Sequence, residues 1–358
     1  MVFRQARWDE PLLIELSSKD RCGLTIPTDP ELSSEVGDVL ETVPKHLRRV
    51  DIRLPEVAQP QIIRHYTRLS QMNYSVDLGT YPLGSCTMKH NPKLIKRVLS
   101  NSRFKTIHPE EPEEYTQGIL KILFDLGRML AEIVGLPSFS LQPAAGAQGE
   151  FTGVLMIRAW LRDQGQLGIK NEILIPDTAH GTNPASAAMA GFKVVEIPST
   201  KEGLIDIEAV KAAAGKSTAG MMMTVPNTLG LFEKDVKEVA GVIHDAGGLM
   251  YYDGANMNAL IGRVRPGDLG FDIAHLNLHK TFGTPHGGGG PGAGPVFATE
   301  KLGEYLPTPI LEFDRGRYRW NHDRPKSVGR VRGYFGNISV LVGAYIYCLL
   351  LGREGLRE

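Results

Sequence analysis

From about Phe139 onward the chain alternates short, continuously apolar stretches with helical segments, and no other feature limits its fold so strongly. "EILIP" (Glu172–Pro176), "KVVEIP" (Lys193–Pro198), "GMMMTVP" (Gly220–Pro226), "LMYYD" (Leu249–Asp253) and "IAHLNL" (Ile273–Leu278) read as strands. Between them, "ASAAMAG" (Ala185–Gly191), "DIEAVKAAA" (Asp206–Ala214) and "VKEVAGVIHDAG" (Val236–Gly247) read as helices. Strands that are apolar throughout need cover on both faces, so the pattern predicts an α/β fold with a mostly parallel sheet between helical layers. Upstream, apolar residues recur at three and four through Pro112–Val134 and stop at Gly135, which predicts a long helix. Residues 1–60, rich in proline and charge, read as an N-terminal arm. Residues 61–340 read as the large α/β domain, and residues 341–358 as the start of a further helix.

Composition removes several classes of function. Forty Lys and Arg balance forty Asp and Glu. A neutral chain lacks the basic surplus that draws nucleic acid or an anionic membrane, so neither is expected as a partner. Cys22, Cys86 and Cys348 are too scattered for a metal site or a disulfide framework, which predicts a reducing compartment and no bound metal. The N-terminus is broken by charges and has no apolar signal core. The longest apolar stretch, Ile338–Leu351, is too short to span a bilayer, so a cytoplasmic location is expected.

Glycine is in excess: 40 of 358 residues, about 11% against a usual share of roughly 7%. Sheets of this kind bind ligands beyond the carboxyl ends of their strands, and the informative glycines fall there. "LQPAAGAQGE" places Gly146, Ala147 and Gln148 at a helix start, where backbone N–H groups and the helix dipole favour phosphate; a plain turn is the alternative. His180 follows the Glu172–Pro176 strand and either binds a ligand or merely braces its loop. Asn227 lies just past another strand, where turn chemistry alone would account for it. Asp253 ends a very apolar strand and either meets a buried partner or caps a helix beyond it. Lys280, beside His279, ends the last strand just before Gly287–Gly290, and a lysine there must be paired or reactive. In chain order these are a phosphate turn, a flat side chain, a carboxylate and an amine. Pyridoxal phosphate needs those four groups: amides for its phosphate, a ring to stack on, a carboxylate at its ring nitrogen and a lysine for a Schiff base.

Longer motifs carry a resemblance. "HYTRLSQMNYSVDLGTYPLGSCTMKHNPK" (His65–Lys93), "PAAGAQGE", "PDTAHGTNPASAAMAG", "NTLGLFE", "HLNLHKTF", "PHGGGGPG" and "DRPKSVGRVRGYFGN" together resemble glycine decarboxylase, the P-protein of the glycine cleavage system. The opening "FRQARWDEPLLIELS" resembles the second subunit of its two-subunit form. The resemblance implies a fold-type I pyridoxal-phosphate enzyme. It implies that Lys280 is the Schiff-base lysine, that Asp253 partners the ring nitrogen with Ala255 beneath the ring, and that His180 stacks on the ring, with His180 or a nearby histidine moving protons. Gly146, Ala147 and Gln148 then form the phosphate turn, joined by His279, and Asn227 reaches the phenolic oxygen. Ser85, Cys86 and Thr87, in "GSCTMK", lie near the substrate.

The activity implied is decarboxylation of glycine, with the aminomethyl group passed to the lipoyl arm of H-protein. The partners implied are the first P-protein subunit, in an α2β2 heterotetramer, and lipoylated H-protein. Two departures stand out. Gly283 replaces a cysteine common in the family, a change expected to be tolerated in a loop. "CLLLGREGLRE" resembles the helix leading into the small C-terminal domain of such enzymes, so a C-terminal truncation is expected. Other fold-type I enzymes, such as amino-acid decarboxylases and cysteine desulfurases, share the Asp-to-Lys logic. A non-catalytic assembly subunit would lack the lysine.

Overall fold

The computed structural model describes residues 9–25, 27, 29–49, 54–73, 77, 79, 90–285 and 292–358. Two compact units divide the chain, Met1–Tyr81 and Pro82–Glu358. The first holds α1 (Pro30–Val36) and α2 (Gln59–Met72). Asp29 caps α1 by accepting from the amides of Glu31 and Leu32. Glu10 is tied to α2: its Oε1 lies 2.5 Å from the Arg68 guanidinium. That pairing carries the compact unit past residue 60.

The second unit runs α3 (Lys93–Leu99), α4 (Ser102–Lys105), α5 (Glu113–Val134), β1 (Ser138–Ser140), α6 (Gly146–Asp163), β2 (Glu172–Pro176), α7 (Thr182–Met189), β3 (Lys193–Ile197), α8 (Ile207–Ala213), β4 (Thr218–Met223), α9 (Val236–Asp245), β5 (Leu249–Gly254), β6 (Ile273–Leu276), β7 (Val296–Ala298), β8 (Ile310–Asp314), β9 (Arg317–Asn321) and α10 (Ile338–Arg357). β1 to β7 form one sheet in the order β1-β7-β6-β5-β4-β2-β3. The five strands β2 to β6 are parallel where they pair, and β7 runs antiparallel to β6 and β1. The expected mostly parallel sheet is therefore present.

Alternation along each strand divides the core in two. Ile173, Met222, Tyr251 and Ile273 face one way and pack with Val154 and Ile157 of α6 and Ala187 of α7. Leu174, Met221, Tyr252 and Ala274 face the other way, toward α5, α9 and α10. Every residue of β4, β5 and β6 is buried, which is why these strands read as unbroken apolar runs. The predicted long helix is α5, stopped by Gly135 at φ 73°. The Ile338–Leu351 stretch is part of a 20-residue helix, longer than expected and, by length and composition alone, long enough to cross a membrane. Its Val340, Leu341, Val342, Gly343, Ala344 and Cys348 are buried, and Gly352 (φ 61°) interrupts it.

Tight packing fixes several glycines. At Gly127 of α5, an added Cβ would sit 2.0 Å from the Phe139 ring of β1. Gly127→Ala should therefore lower the urea midpoint, at a cost of about 1–3 kcal/mol typical of overpacking. An unchanged midpoint would show that the Phe139 ring swings aside freely.

Candidate active site

Five elements converge at the carboxyl edge of the sheet. β5 ends in Asp253, which is 3% exposed. Its Oδ2 accepts from the Asn183 amide of α7 at 3.2 Å, and its Oδ1 accepts from the backbone N–H of Ala255 at 3.0 Å. His275 Nε2, from the neighbouring strand β6, lies 3.5 Å from Oδ1. Behind it the Tyr251 hydroxyl meets His275 Nδ1 at 2.6 Å. Burial holds the imidazole below its usual range, and the charge of Lys280 adds to this while Asp253 opposes it. Burial also pushes the Tyr251 phenol well above its ordinary value, with Glu150 and Asp253 adding to the shift. A neutral imidazole facing a carboxylate keeps its proton on Nε2, so Nδ1 accepts from the Tyr251 O–H. The line Tyr251–His275–Asp253 thus fixes the carboxylate from behind.

The start of α6 lies beside the end of β6. An added Cβ at Gly146 would fall 2.1 Å from Asn277 Oδ1, just past β6. Ala145 gives α6 no side-chain cap, so the first amides of the helix, at Gly146, Ala147 and Gln148, point outward without an intrahelical acceptor. The Gln148 side chain is turned back on the chain. Its Oε1 accepts from Ala144 N–H at 2.6 Å and its amide donates to Val331 O at 2.5 Å. Its backbone N–H is the group left at the helix start for a phosphate. Gly149 serves packing instead: its Cβ would strike the Gly294 carbonyl at 2.3 Å.

Lys280 stands in the turn after β6, half-buried, with its backbone N–H donating to Asn277 O at 3.1 Å. The next residue pins that turn: Thr281 Oγ1 accepts from Met257 N–H at 3.0 Å and donates to Asn258 Oδ1 at 2.6 Å. His279 is buried; its Nδ1 accepts from Ala293 N–H, and it lies where a Cβ on Gly292 would fall. Gly283, expected to be tolerated in a loop, sits where the backbone favours glycine. Its φ is +62°, and a Cβ would sit 2.5 Å from the Tyr347 ring, so glycine is what this backbone accepts.

His180 is exposed on the β2–α7 connection, where its Nδ1 accepts from Thr182 N–H at 3.1 Å and meets Thr182 Oγ1 at 2.7 Å. Asn227 is not brought to the Asp253 cluster by any of these contacts. Its amide donates to Gly203 O and Glu233 Oε1, and its Oδ1 accepts from Leu229 and Leu231 N–H. Both donors and both acceptor positions are thereby used within the loop that Asn227 shapes. Ser85, Cys86 and Thr87 lie outside the described residues, as do His286 and Gly287–Gly290.

Sequence reasoning missed Glu150, Asn183, Tyr251 and His275. Glu150, one turn into α6, is 2% exposed, and its Oε1 has no hydrogen-bond partner. Burial, with Asp253 adding and the Ser186 and Thr182 hydroxyls opposing, pushes its carboxyl up to about 8. His275 carried a legible signal: it is the one polar residue between Ile273 and Leu276 in a buried strand.

A pyridoxal phosphate fits this arrangement. Backbone amides, a buried carboxylate braced by its own partners and an amine gather within one strand-end cluster. The Asn183 amide oxygen, buried without a partner, adds polar capacity beside Asp253.

Sheet order, crossovers and these strand-end groups define an α/β fold of the fold-type I pyridoxal-phosphate class. A crystal structure of glycine decarboxylase (P-protein) of the glycine cleavage system, in inhibitor-bound form, superposes with a TM-score of 0.76 at 23% identity, covering 94% of this chain and 78% of that one. Glutamate decarboxylase of Lactobacillus brevis shares the fold more distantly, with a TM-score of 0.60 at 15% identity, covering 90% of this chain and 74% of that one. The profile of the glycine cleavage system P-protein family matches residues 33–316. The probable glycine dehydrogenase (decarboxylating) subunit 2 of Pyrococcus furiosus is 55% identical over 360 residues, covering all of this chain and 70% of the relative. The corresponding protein of Thermoplasma acidophilum is 50% identical over 358 residues, covering all of this chain and 73% of the relative. The chain belongs to the glycine cleavage system P-protein family.

Asp253→Asn keeps the shape and removes the charge. It should weaken pyridoxal phosphate binding about tenfold to a hundredfold, as loss of a charged hydrogen bond does. Unchanged affinity in an absorbance titration would remove Asp253 from the cofactor site.

Proposed function

We propose that this chain is the cofactor-carrying subunit of a two-subunit glycine decarboxylase, acting with lipoylated H-protein in glycine cleavage. The observation that carries the reading is the buried Asp253, held by Asn183, Ala255 and His275 beside the Lys280 turn and the uncapped start of α6. When bound, pyridoxal phosphate supplies an electron sink for the pair left on the glycine carbon as carbon dioxide departs.

The chain's own residues have separable tasks. Lys280 would supply the amine that holds the cofactor's aldehyde. Asp253 holds the proton at the ring nitrogen, and the Tyr251–His275 pair stops the carboxylate from turning away. The amides of Gly146, Ala147 and Gln148 take the phosphate. His180 would stack on the ring, oriented by the contacts of Thr182 with its Nδ1. His279 buttresses the Lys280 turn against Gly292 and Ala293, and Ala255 lines the floor of the site. Ser85, Cys86 and Thr87 belong to the glycine end.

The lipoyl disulfide of H-protein is the electron acceptor. One sulfur bonds the aminomethyl carbon and the other leaves as a thiol. The assembly proposed is α2β2 with the first P-protein subunit, in the cytoplasm, where the free Cys22 and Cys348 thiols are at home.

The test mixes this chain, its partner subunit, pyridoxal phosphate and carboxyl-labelled glycine with lipoylated H-protein. Labelled carbon dioxide should appear only with the complete mixture. Release from glutamate or cysteine instead, or release that is indifferent to the lipoyl group, would contradict the reading.

A further inference from the structure

Glu150 is the buried acid that the proposed mechanism leaves unused. It projects from α6 into the space between α7 and the ends of β5 and β6. The hydroxyls of Thr182 and Ser186 lie against its carboxyl, and Asp253 is the charged neighbour that acts on it. The other titratable groups facing this cluster are Tyr251 from β5, His275 from β6 and, through His275, Lys280. Two carboxylates buried side by side cannot both ionise cheaply, and Asp253 is the one with donors to its oxygens: Asn183 and Ala255.

The Glu150 carboxyl lies against the Thr182 hydroxyl, and Thr182 holds His180 through its backbone N–H (3.1 Å) and Oγ1 (2.7 Å) at Nδ1. Glu150 Oε1 is buried without a partner, an arrangement that a neutral carboxyl tolerates better than an anion.

We propose that Glu150 is a positioning residue held as a neutral carboxylic acid: its buried carboxyl supports Thr182, which orients His180, and its neutrality leaves Asp253 as the only buried anion of this cluster among the described residues. This rests on the cofactor reading above and deepens it. Its prediction has a definite sign. The unfolded chain gives up the Glu150 proton near 4.5, whereas the folded chain keeps it to about 8. The wild type therefore has its full stability contribution below 4.5 and loses it progressively as pH rises through that window. Glutamine has no proton to lose.

The experiment measures Tm of the full-length wild type and Glu150→Gln from pH 5 to pH 8, each with and without pyridoxal phosphate. Expected is a Tm difference (variant minus wild type) that grows with pH, since the other titrating groups are common to both chains. A difference that is flat or shrinks with pH would overturn the proposal, because an ionised Glu150 gains stability as pH rises. In the second arm, absorbance titration should find cofactor affinity about tenfold weaker in Glu150→Ala and restored to within about twofold by Glu150→Gln. Failure of glutamine to restore it would also overturn the proposal. If wild type and both variants bind no pyridoxal phosphate, the cofactor reading fails, while the pH series without cofactor still decides the protonation of Glu150.

Discussion

A carboxylate buried at the end of a fully buried strand is the constraint on which the rest of this site depends. Asp253 gives up most of its hydration, a cost of several kcal/mol unless protein groups replace the water. The replacement comes from three separate elements: Asn183 from the start of α7, the Ala255 amide from the turn after β5, and His275 from β6. Those elements must sit where the parallel sheet puts them for the charge to survive. A fold that failed to align β5, β6 and α7 would leave the Asp253 carboxylate buried without these partners.

The same edge gathers the remaining parts without long-range adjustment. α6 begins beside Asn277 because Gly146 has no side chain there, and α6 lies flat on the sheet because Gly149 meets Gly294 backbone to backbone. Gly153, further along α6, leaves room for the Tyr251 ring, where a Cβ would come within 2.3 Å. Tyr251 is the end of the line that braces Asp253, so a packing glycine on one element supports a polar contact on another. The glycine excess therefore serves helix-to-sheet approach at least as much as it serves a ligand.

Much of this was legible in the chain. Strands β4 to β6 are visible because full burial removes alternation, and β2 begins and ends where its apolar run does, whereas β3 at the sheet edge is largely exposed. Asp253 and Lys280 stood out because charge at the end of an apolar strand requires a reason. Three-residue β1 and β7 are too short to show a period, and the β8–β9 hairpin turns at Arg315 and Gly316, a pair with a weak turn signature. Asn227 is ambiguous in sequence because asparagine past a strand serves a turn or a ligand equally well, and here its amide bonds lie within its own loop. Glu150 was invisible for a different reason. A glutamate in a helix is ordinarily exposed, and its burial is fixed by α7 and β5, elements that lie far off in sequence.

Borohydride reduction of the chain loaded with pyridoxal phosphate, followed by peptide mass spectrometry, tests the assignment of this site most directly. A pyridoxyl mass should be fixed on Lys280 alone and be absent from Lys280→Ala. A label on another lysine, or the same absorbance band in Lys280→Ala, would contradict it.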